Sequence, residues 1–394
     1  RAVPNPKVIP NPKWTGSAKT GSVGLTNYGE GTIFYGSLKI GSSAQSFSVN
    51  IDTGCVRLAH YIRKIGSMLT REIPLQLGRP MASFGVLQLG RVQRAHEIRP
   101  FAEYDLLARF SKKLNIVYGD GSSTSGVVYT DTVTFGGLTA TSQAVGVATS
   151  LSSDFQDDPY DGLVGMAYGS ISTMGVTPLF QTLVSQGRVA KSQFSTYLAS
   201  SGSELFLGGM NSAHFAAGST HWYSVISQGY WTLAAKAAVN NKVVSSLGTF
   251  SALVDTGTSV IVVSTIALFT LLQELSSLTA SLPLCNQAPT AAAKQFWAAV
   301  PNSATYGSGG YWTYPCASPP TISFSFGGAF AEQWAVSSSA LNLGRVSSGS
   351  DRCVGAVVGA DIGINAWILG DSFLQSVYTT FDFSTNQIGF SDLS

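Results

Sequence analysis

An all-β protein built as two related halves is predicted for this 394-residue chain from three observations. First, Asp-Thr-Gly occurs twice, in Val49-Asn50-Ile51-Asp52-Thr53-Gly54 and in Ala252-Leu253-Val254-Asp255-Thr256-Gly257-Thr258-Ser259, each time at the end of an apolar run. Second, a step of two apolar residues and a Gly follows each Asp at nearly the same distance. It falls about 113 residues after Asp52, in Asp161-Gly162-Leu163-Val164-Gly165, and about 115 after Asp255, in Trp367-Ile368-Leu369-Gly370-Asp371. Third, 42 glycines, abundant Ser and Thr, and only 11% charged residues suit short strands joined by many turns. A specified tripeptide arises by chance at about one position in 8,000, so a single copy decides little. Two copies at matching places in a repeat point to a hydrolase that works with paired carboxylates.

Taken in chain order, residues 1–21 (Pro4, Pro10 and Pro12 with Lys7, Lys13 and Lys19) read as a flexible basic tail or the end of a propeptide. Propeptide lysines would pair with carboxylates near neutral pH and release them in acid; a plain solvated tail is the alternative. Strands are predicted at Thr32-Ile33-Phe34-Tyr35, Val127-Val128-Tyr129, Thr132-Val133-Thr134-Phe135 and Ile322-Ser323-Phe324-Ser325-Phe326, all apolar or alternating runs beside turn residues. Helices are few, with candidates at Pro178–Val184 and Ser264–Leu275. The apolar run Val260–Leu272 is shorter than the roughly 18 residues a membrane span needs, so no span is predicted. Of the four cysteines (Cys55, Cys285, Cys316, Cys353), Cys285 and Cys316 bracket a 30-residue stretch. Bridged, they would stabilise the fold by roughly 3–4 kcal/mol and imply an oxidising compartment. Two buried free thiols are the alternative, and Cys353 is left without an obvious partner.

The net charge of +2 hides an uneven distribution. Residues 55–112 hold ten Lys or Arg against four acids, including eight of the twelve Arg, with no Trp or Asn. The basic residues are scattered without aromatic interleaving, which argues against a nucleic-acid surface. The segment instead reads as foreign to the surrounding pattern, an insertion or a frameshifted stretch.

Beyond these patterns, the chain resembles the pepsin-like aspartic endopeptidases, particularly the secreted fungal type. The resemblance runs through Gly31–Gly41 into Phe47–Gly54, through Ile116-Val117-Tyr118-Gly119-Asp120-Gly121-Ser122 with Ser125-Gly126, and through Asp161–Tyr168. It continues in Trp367–Leu374, Tyr378–Phe383 and Ile388-Gly389-Phe390. It implies a bilobal double-β-barrel fold with pseudo-twofold symmetry: an N-terminal lobe over 22–200, containing the anomalous 55–112, and a C-terminal lobe over 201–394. Asp52 and Asp255 would be the catalytic pair, one activating a water as general base and the other protonating the scissile carbonyl. Thr53, Gly54 and Thr256 would support that pair, and Tyr118, Gly119, Asp120, Gly257 and Thr258 would contact substrate. Cys285 and Cys316 match the family's second-lobe disulfide.

The resemblance implies protein or peptide substrates, no cofactor, no metal, a monomer, and a secreted or vacuolar location. The four His (His60, His96, His214, His221) have no ligand-like spacing, and no nucleophile-elbow signature supports Ser-His-Asp chemistry. Two departures leave alternatives open. Asp52-Thr53-Gly54 is followed by Cys55-Val56-Arg57-Leu58-Ala59 where the family carries a Ser and, further on, a Trp. A catalytically impaired relative acting as a binding module therefore stands beside the endopeptidase, with an unrelated β-rich carbohydrate-binding protein as the third reading.

Overall fold

The computed structural model describes residues 19–54, 108–117, 122–155, 158–172, 174–264, 291–328 and 332–394. Strands dominate, and they gather into four sheets. One seven-stranded sheet is built from the first half; a nine-stranded sheet is built from the second. A six-stranded sheet draws on both, joining Gly21–Gly24, Gln193–Tyr197 and Glu204–Leu207 to Tyr378–Asp382, Gln387–Ser391 and His221–Ser224. The chain is thus bilobal, with a shared sheet beneath the two lobes.

The repeated motifs occupy equivalent places in the two large sheets. The strand Gln45–Asp52 runs parallel to Gly162–Gly165, with Asp52 opposite Gly165. In the second lobe Phe250–Val254 runs parallel to Trp367–Leu369, with Val254 opposite Leu369. Each Asp therefore sits where one central strand ends beside the apolar-apolar-Gly step. Met166 N donates to Asp52 O at 2.7 Å, and Asp255 N donates to Leu369 O at 3.1 Å. The residues leading into each Asp are buried whichever face they point to (Val49, Asn50 and Ile51; Ala252, Leu253 and Val254), which explains why each motif reads as a run rather than an alternation.

Several expected elements extend beyond the sequence patterns that signalled them. Of the Thr32–Tyr35 run, Ile33 to Tyr35 belong to a strand spanning Ile33–Ile40, and Thr32 lies in the turn before it. The Val127–Tyr129 and Thr132–Phe135 runs fall on a single strand, Ser123–Phe135, which absorbs a register shift between Asp131 and Val133. Ile322–Phe326 is a strand over the predicted residues, buried throughout. Pro178 caps a helix at Leu179–Ser185, where its fixed φ favours a helix start. The helix Ala291–Ala298 was not anticipated; the second helix candidate, Ser264–Leu275, lies almost wholly outside the described residues. Of the basic segment, residues 108–112 belong to the strand Ala108–Val117, paired antiparallel with Ser123–Phe135.

The core is continuous between the lobes. Trp231 is fully buried, its ring 4.6 Å from that of Tyr168 and 5.1 Å from that of Phe381, and its indole N–H donates to Met166 O at 3.1 Å. Such aromatic packing adds about 0.5–1.5 kcal/mol per pair beyond area burial. It locks the second half onto the strand ends that carry the first motif.

The disulfide differs from the expectation. Cys316 is bonded to Cys353, not to Cys285, with a Cα–Cα distance of 5.1 Å. The reason is register: Tyr311–Pro315 pairs antiparallel with Arg352–Gly355, so Tyr314 faces Cys353 and Pro315 faces Arg352. Cys316 follows directly, and its N–H donates to Asp351 O at 2.8 Å. Sequence spacing carries no information about that strand pairing. Cys55 and Cys285 lie outside the described residues.

Candidate active site between the lobes

Thr53 and Thr256 fasten the two motif loops to one another. Thr53 Oγ1 donates to Val254 O at 2.9 Å, and Thr256 Oγ1 donates to Ile51 O at 2.7 Å. In return Thr53 N donates to Thr256 Oγ1 at 3.2 Å, and Thr256 N donates to Thr53 Oγ1 at 3.0 Å. Both threonines are buried, so all four bonds form away from water. A hydroxyl is the side chain that can donate to one backbone group and accept from another at once.

The glycines let the carboxyls close in. A Cβ at Gly54 would lie 2.2 Å from Asp255 Cγ, and one at Gly257 would lie 2.4 Å from Asp52 Cγ. Each carboxyl thus packs on the glycine of the opposite loop. Gly54 N donates to Asp255 Oδ1 at 2.7 Å, Gly257 N donates to the same oxygen at 2.8 Å, and Thr258 Oγ1 donates to Oδ2 at 2.6 Å. Asp52 and Asp255 are 8% and 7% exposed, so the two acids sit nearly dry while still open on one side.

Two further groups surround this pair, neither given a role by sequence reasoning. Asp371 begins the short helix Asp371–Leu374, is fully buried, and has no hydrogen-bond partner at Oδ1. Burial raises its carboxyl well above the ordinary range, reinforced by the charges of Asp255 and Asp52. Its backbone N–H donates to Thr258 O at 2.7 Å. That contact depends on Gly370, where a Cβ would lie 2.1 Å from Thr258 O. The signal was present in the step Ile368-Leu369-Gly370-Asp371, where only the Gly was interpreted. Tyr160 lies on the Asp52 side; burial raises its phenol, then Asp158, while a hydrogen bond with Asn50 opposes the rise. Asp52 adds a smaller upward push. Nothing in the pattern around Tyr160 marked it.

Of the expected site residues, Asp52, Thr53, Gly54, Asp255, Thr256, Gly257 and Thr258 meet at this junction. Tyr118, Gly119 and Asp120 lie outside the described residues, although the flanking strands are paired with Val117 opposite Ser123. Among the described residues no group of three or more His, Cys, Asp or Glu could hold a metal ion, and no helix is long and apolar enough to cross a membrane.

Comparison with known proteins agrees with this geometry. The family model for eukaryotic aspartyl proteases matches residues 107–393, beginning one residue before the strand Ala108–Val117. A protein named aspartic protease from Phaffia rhodozyma is 36% identical over 94% of this chain and 79% of its own length. Pepsin A from Sus scrofa is 30% identical over 95% of this chain and 84% of its own, and penicillopepsin-3 from Penicillium janthinellum is 33% identical over 74% and 67%. The chain belongs to the eukaryotic aspartyl proteases, the pepsin-like aspartic-type endopeptidases.

Proposed function

We propose that this chain is an acid endopeptidase in which Asp52 and Asp255 form the catalytic pair. One observation carries the proposal: each carboxyl rests on the glycine of the opposite loop, while the two threonines bind the loops together. Two carboxyls so placed cannot both ionise cheaply, so one proton is shared between them. The ionised member takes a proton from a water held between the two acids. The water oxygen attacks the scissile carbonyl carbon as the protonated member donates to the carbonyl oxygen. The tetrahedral intermediate then breaks its C–N bond while the acid that took the water's proton passes it to the leaving nitrogen, with no covalent enzyme intermediate.

Residues 22–200 and 201–394 are proposed as the lobes contributing one acid each, behind a tail at 1–21. Tyr118, Gly119 and Asp120 are proposed to cover the bound peptide, and Gly257 and Thr258 to line its path. The Cys316–Cys353 bond supports a secreted or vacuolar location, since disulfides persist in oxidising compartments. A monomer acting on protein or peptide substrates completes the proposal.

The sequence around the first acid favours a second reading, a relative with impaired catalysis that retains binding. Thr258 stands three residues after Asp255 and donates a hydroxyl to it, whereas the residue three after Asp52 is Cys55, and a thiol is a weak donor. Digestion of denatured haemoglobin from acid to neutral pH, with and without pepstatin, separates the two. Acid cleavage abolished by pepstatin supports the endopeptidase. A folded protein that binds pepstatin without cleaving supports the impaired relative.

A further inference from the structure

A second site adjoins the first through Ser259, four residues beyond Asp255. It is a groove of about 620 Å³ between the two lobes, lined by Asn27, Glu30, Ser200, Ser259, Ser337 and Gln375 among others. That volume lies within the range of ligand-binding clefts. Its lining combines hydroxyl and amide side chains with Ala199, Ala340 and Leu343, and Glu30 is the one charged residue among the described residues that line it.

The backbone at Glu30 is unusual. Gly29, Glu30 and Gly31 have φ of 64°, 57° and 96°, three successive residues in the left-handed region. Glycine adopts this freely, but a glutamate does so at a cost of about 1–3 kcal/mol, which the surroundings must offset. They do so with a set of hydrogen bonds to the turn. Gly31 N donates to Asn27 Oδ1 at 2.7 Å, and Thr32 Oγ1 donates to Tyr28 O at 3.1 Å and Gly29 O at 3.0 Å. Asn27 Nδ2 donates to Ala199 O at 2.8 Å, Gln375 Nε2 donates to Gly31 O at 3.1 Å, and the Ser259 hydroxyl donates to Thr32 O. The turn is therefore fixed to the second motif loop through Ser259, to the loop after Gln193–Tyr197 through Ala199, and to Gln375 just beyond the helix Asp371–Leu374. It holds the backbone of Glu30 at a set position on the rim of the groove, with the side chain exposed.

Building on the endopeptidase reading, the geometry points to this groove as an auxiliary substrate site, with Glu30 selecting a Lys or Arg side chain remote from the scissile bond. Ser259, two residues beyond Gly257, belongs both to the second motif loop and to the groove lining, so a polypeptide extending from the two acids along that loop reaches the groove. The hydroxyls and amides there satisfy peptide N–H and C=O groups without preference for sequence. Glu30 supplies the discriminating contact, a charge-assisted hydrogen bond to an ammonium or guanidinium. Because the hydrogen-bonded turn fixes the Glu30 backbone, its carboxylate reaches only the part of the groove beside that turn, and the preference falls at the substrate position that lies there.

The test uses peptides identical except for Lys or Gln placed at each position flanking one cleavable bond, assayed at about pH 5.5, above the ordinary carboxylate range. The expected result is one position where Lys raises kcat/KM about two- to fivefold over Gln. Glu30→Gln removes that preference while leaving kcat/KM for the all-Gln peptide unchanged, and Glu30→Lys favours Glu there instead. Thermal unfolding of both variants shows that the fold is intact. Absence of any positional preference, or a preference that survives in Glu30→Gln, overturns the assignment. If no peptide is cleaved, the endopeptidase reading fails separately. Fluorescence anisotropy of the labelled Lys and Gln peptides then decides the groove, with tighter Lys binding lost in Glu30→Gln sustaining it and equal binding overturning it.

Discussion

Thr53 and Thr256 exchange hydrogen bonds across the lobe boundary, each hydroxyl donating to the carbonyl that precedes the other's aspartate and accepting from the other's amide. The alignment of the two acids follows from this exchange. Thr53→Val keeps the shape and removes the hydroxyl, leaving Val254 O and Thr256 N without these partners in a buried site. Each such loss costs about 1–3 kcal/mol. The expected outcome is a fall of about 2–5 kcal/mol in unfolding free energy, read by urea titration. A steeper relative loss in kcat than in KM should accompany it.

A side chain at Gly54 meets the carboxyl of Asp255 at 2.2 Å, a distance no real Cβ contact tolerates. Gly54→Ala therefore displaces one loop from the other. Peptide hydrolysis should fall at least a thousandfold while circular dichroism keeps its β signature, because the strands behind the loops do not depend on the glycine. The reciprocal variant, Gly257→Ala, should behave alike, since its Cβ would approach Asp52 Cγ to 2.4 Å.

Asp371 ties stability to pH. Burial, then the charges of Asp255 and Asp52, hold its carboxyl well above the ordinary range, so the folded protein keeps a proton that the unfolded chain releases above about pH 4. A raised value means that the stability contribution is complete below the unfolded value and is lost as pH rises through the folded one. Asp371→Asn removes this dependence. Within that window the variant's stability should fall less steeply than the wild type's, by about 1.4 kcal/mol per pH unit. Urea unfolding across acid to neutral pH reads the slope directly.

The Cys316–Cys353 bond closes 37 residues of chain. Chain entropy assigns such a loop roughly 4 kcal/mol. Cys353→Ser should lower stability by about that amount, and the same loss should appear when the wild type is reduced. Cys285→Ser should leave the reduction-sensitive stability unchanged.

Much of the site was readable because its chemistry is local in sequence. The Asp, Thr and Gly of each loop are contiguous, and the apolar runs before them announce the strands that position them. The twin apolar-apolar-Gly steps, matched in spacing, prove to lie on the parallel partners of those strands, and only the structure shows that pairing. What escaped the sequence depends on distant pairing. The partner of Cys316 follows from the register of Tyr311–Pro315 with Arg352–Gly355, which no spacing rule encodes. Asp371 is one acid among many until the Thr258 carbonyl and the charges of Asp255 and Asp52 surround it. The left-handed turn at Glu30 is suggested by Gly29 and Gly31, yet its groove is closed by Ser337 and Gln375 from the far end of the chain.

The most direct test of the paired-acid account is hydrolysis of denatured haemoglobin by wild type, Asp52→Asn and Asp255→Asn, followed from acid to neutral pH. The account predicts acid cleavage by the wild type and loss of at least a thousandfold in each variant, with both variants still folded. Undiminished cleavage by either folded variant would contradict it, because hydrolysis would then proceed without one of the two carboxyls.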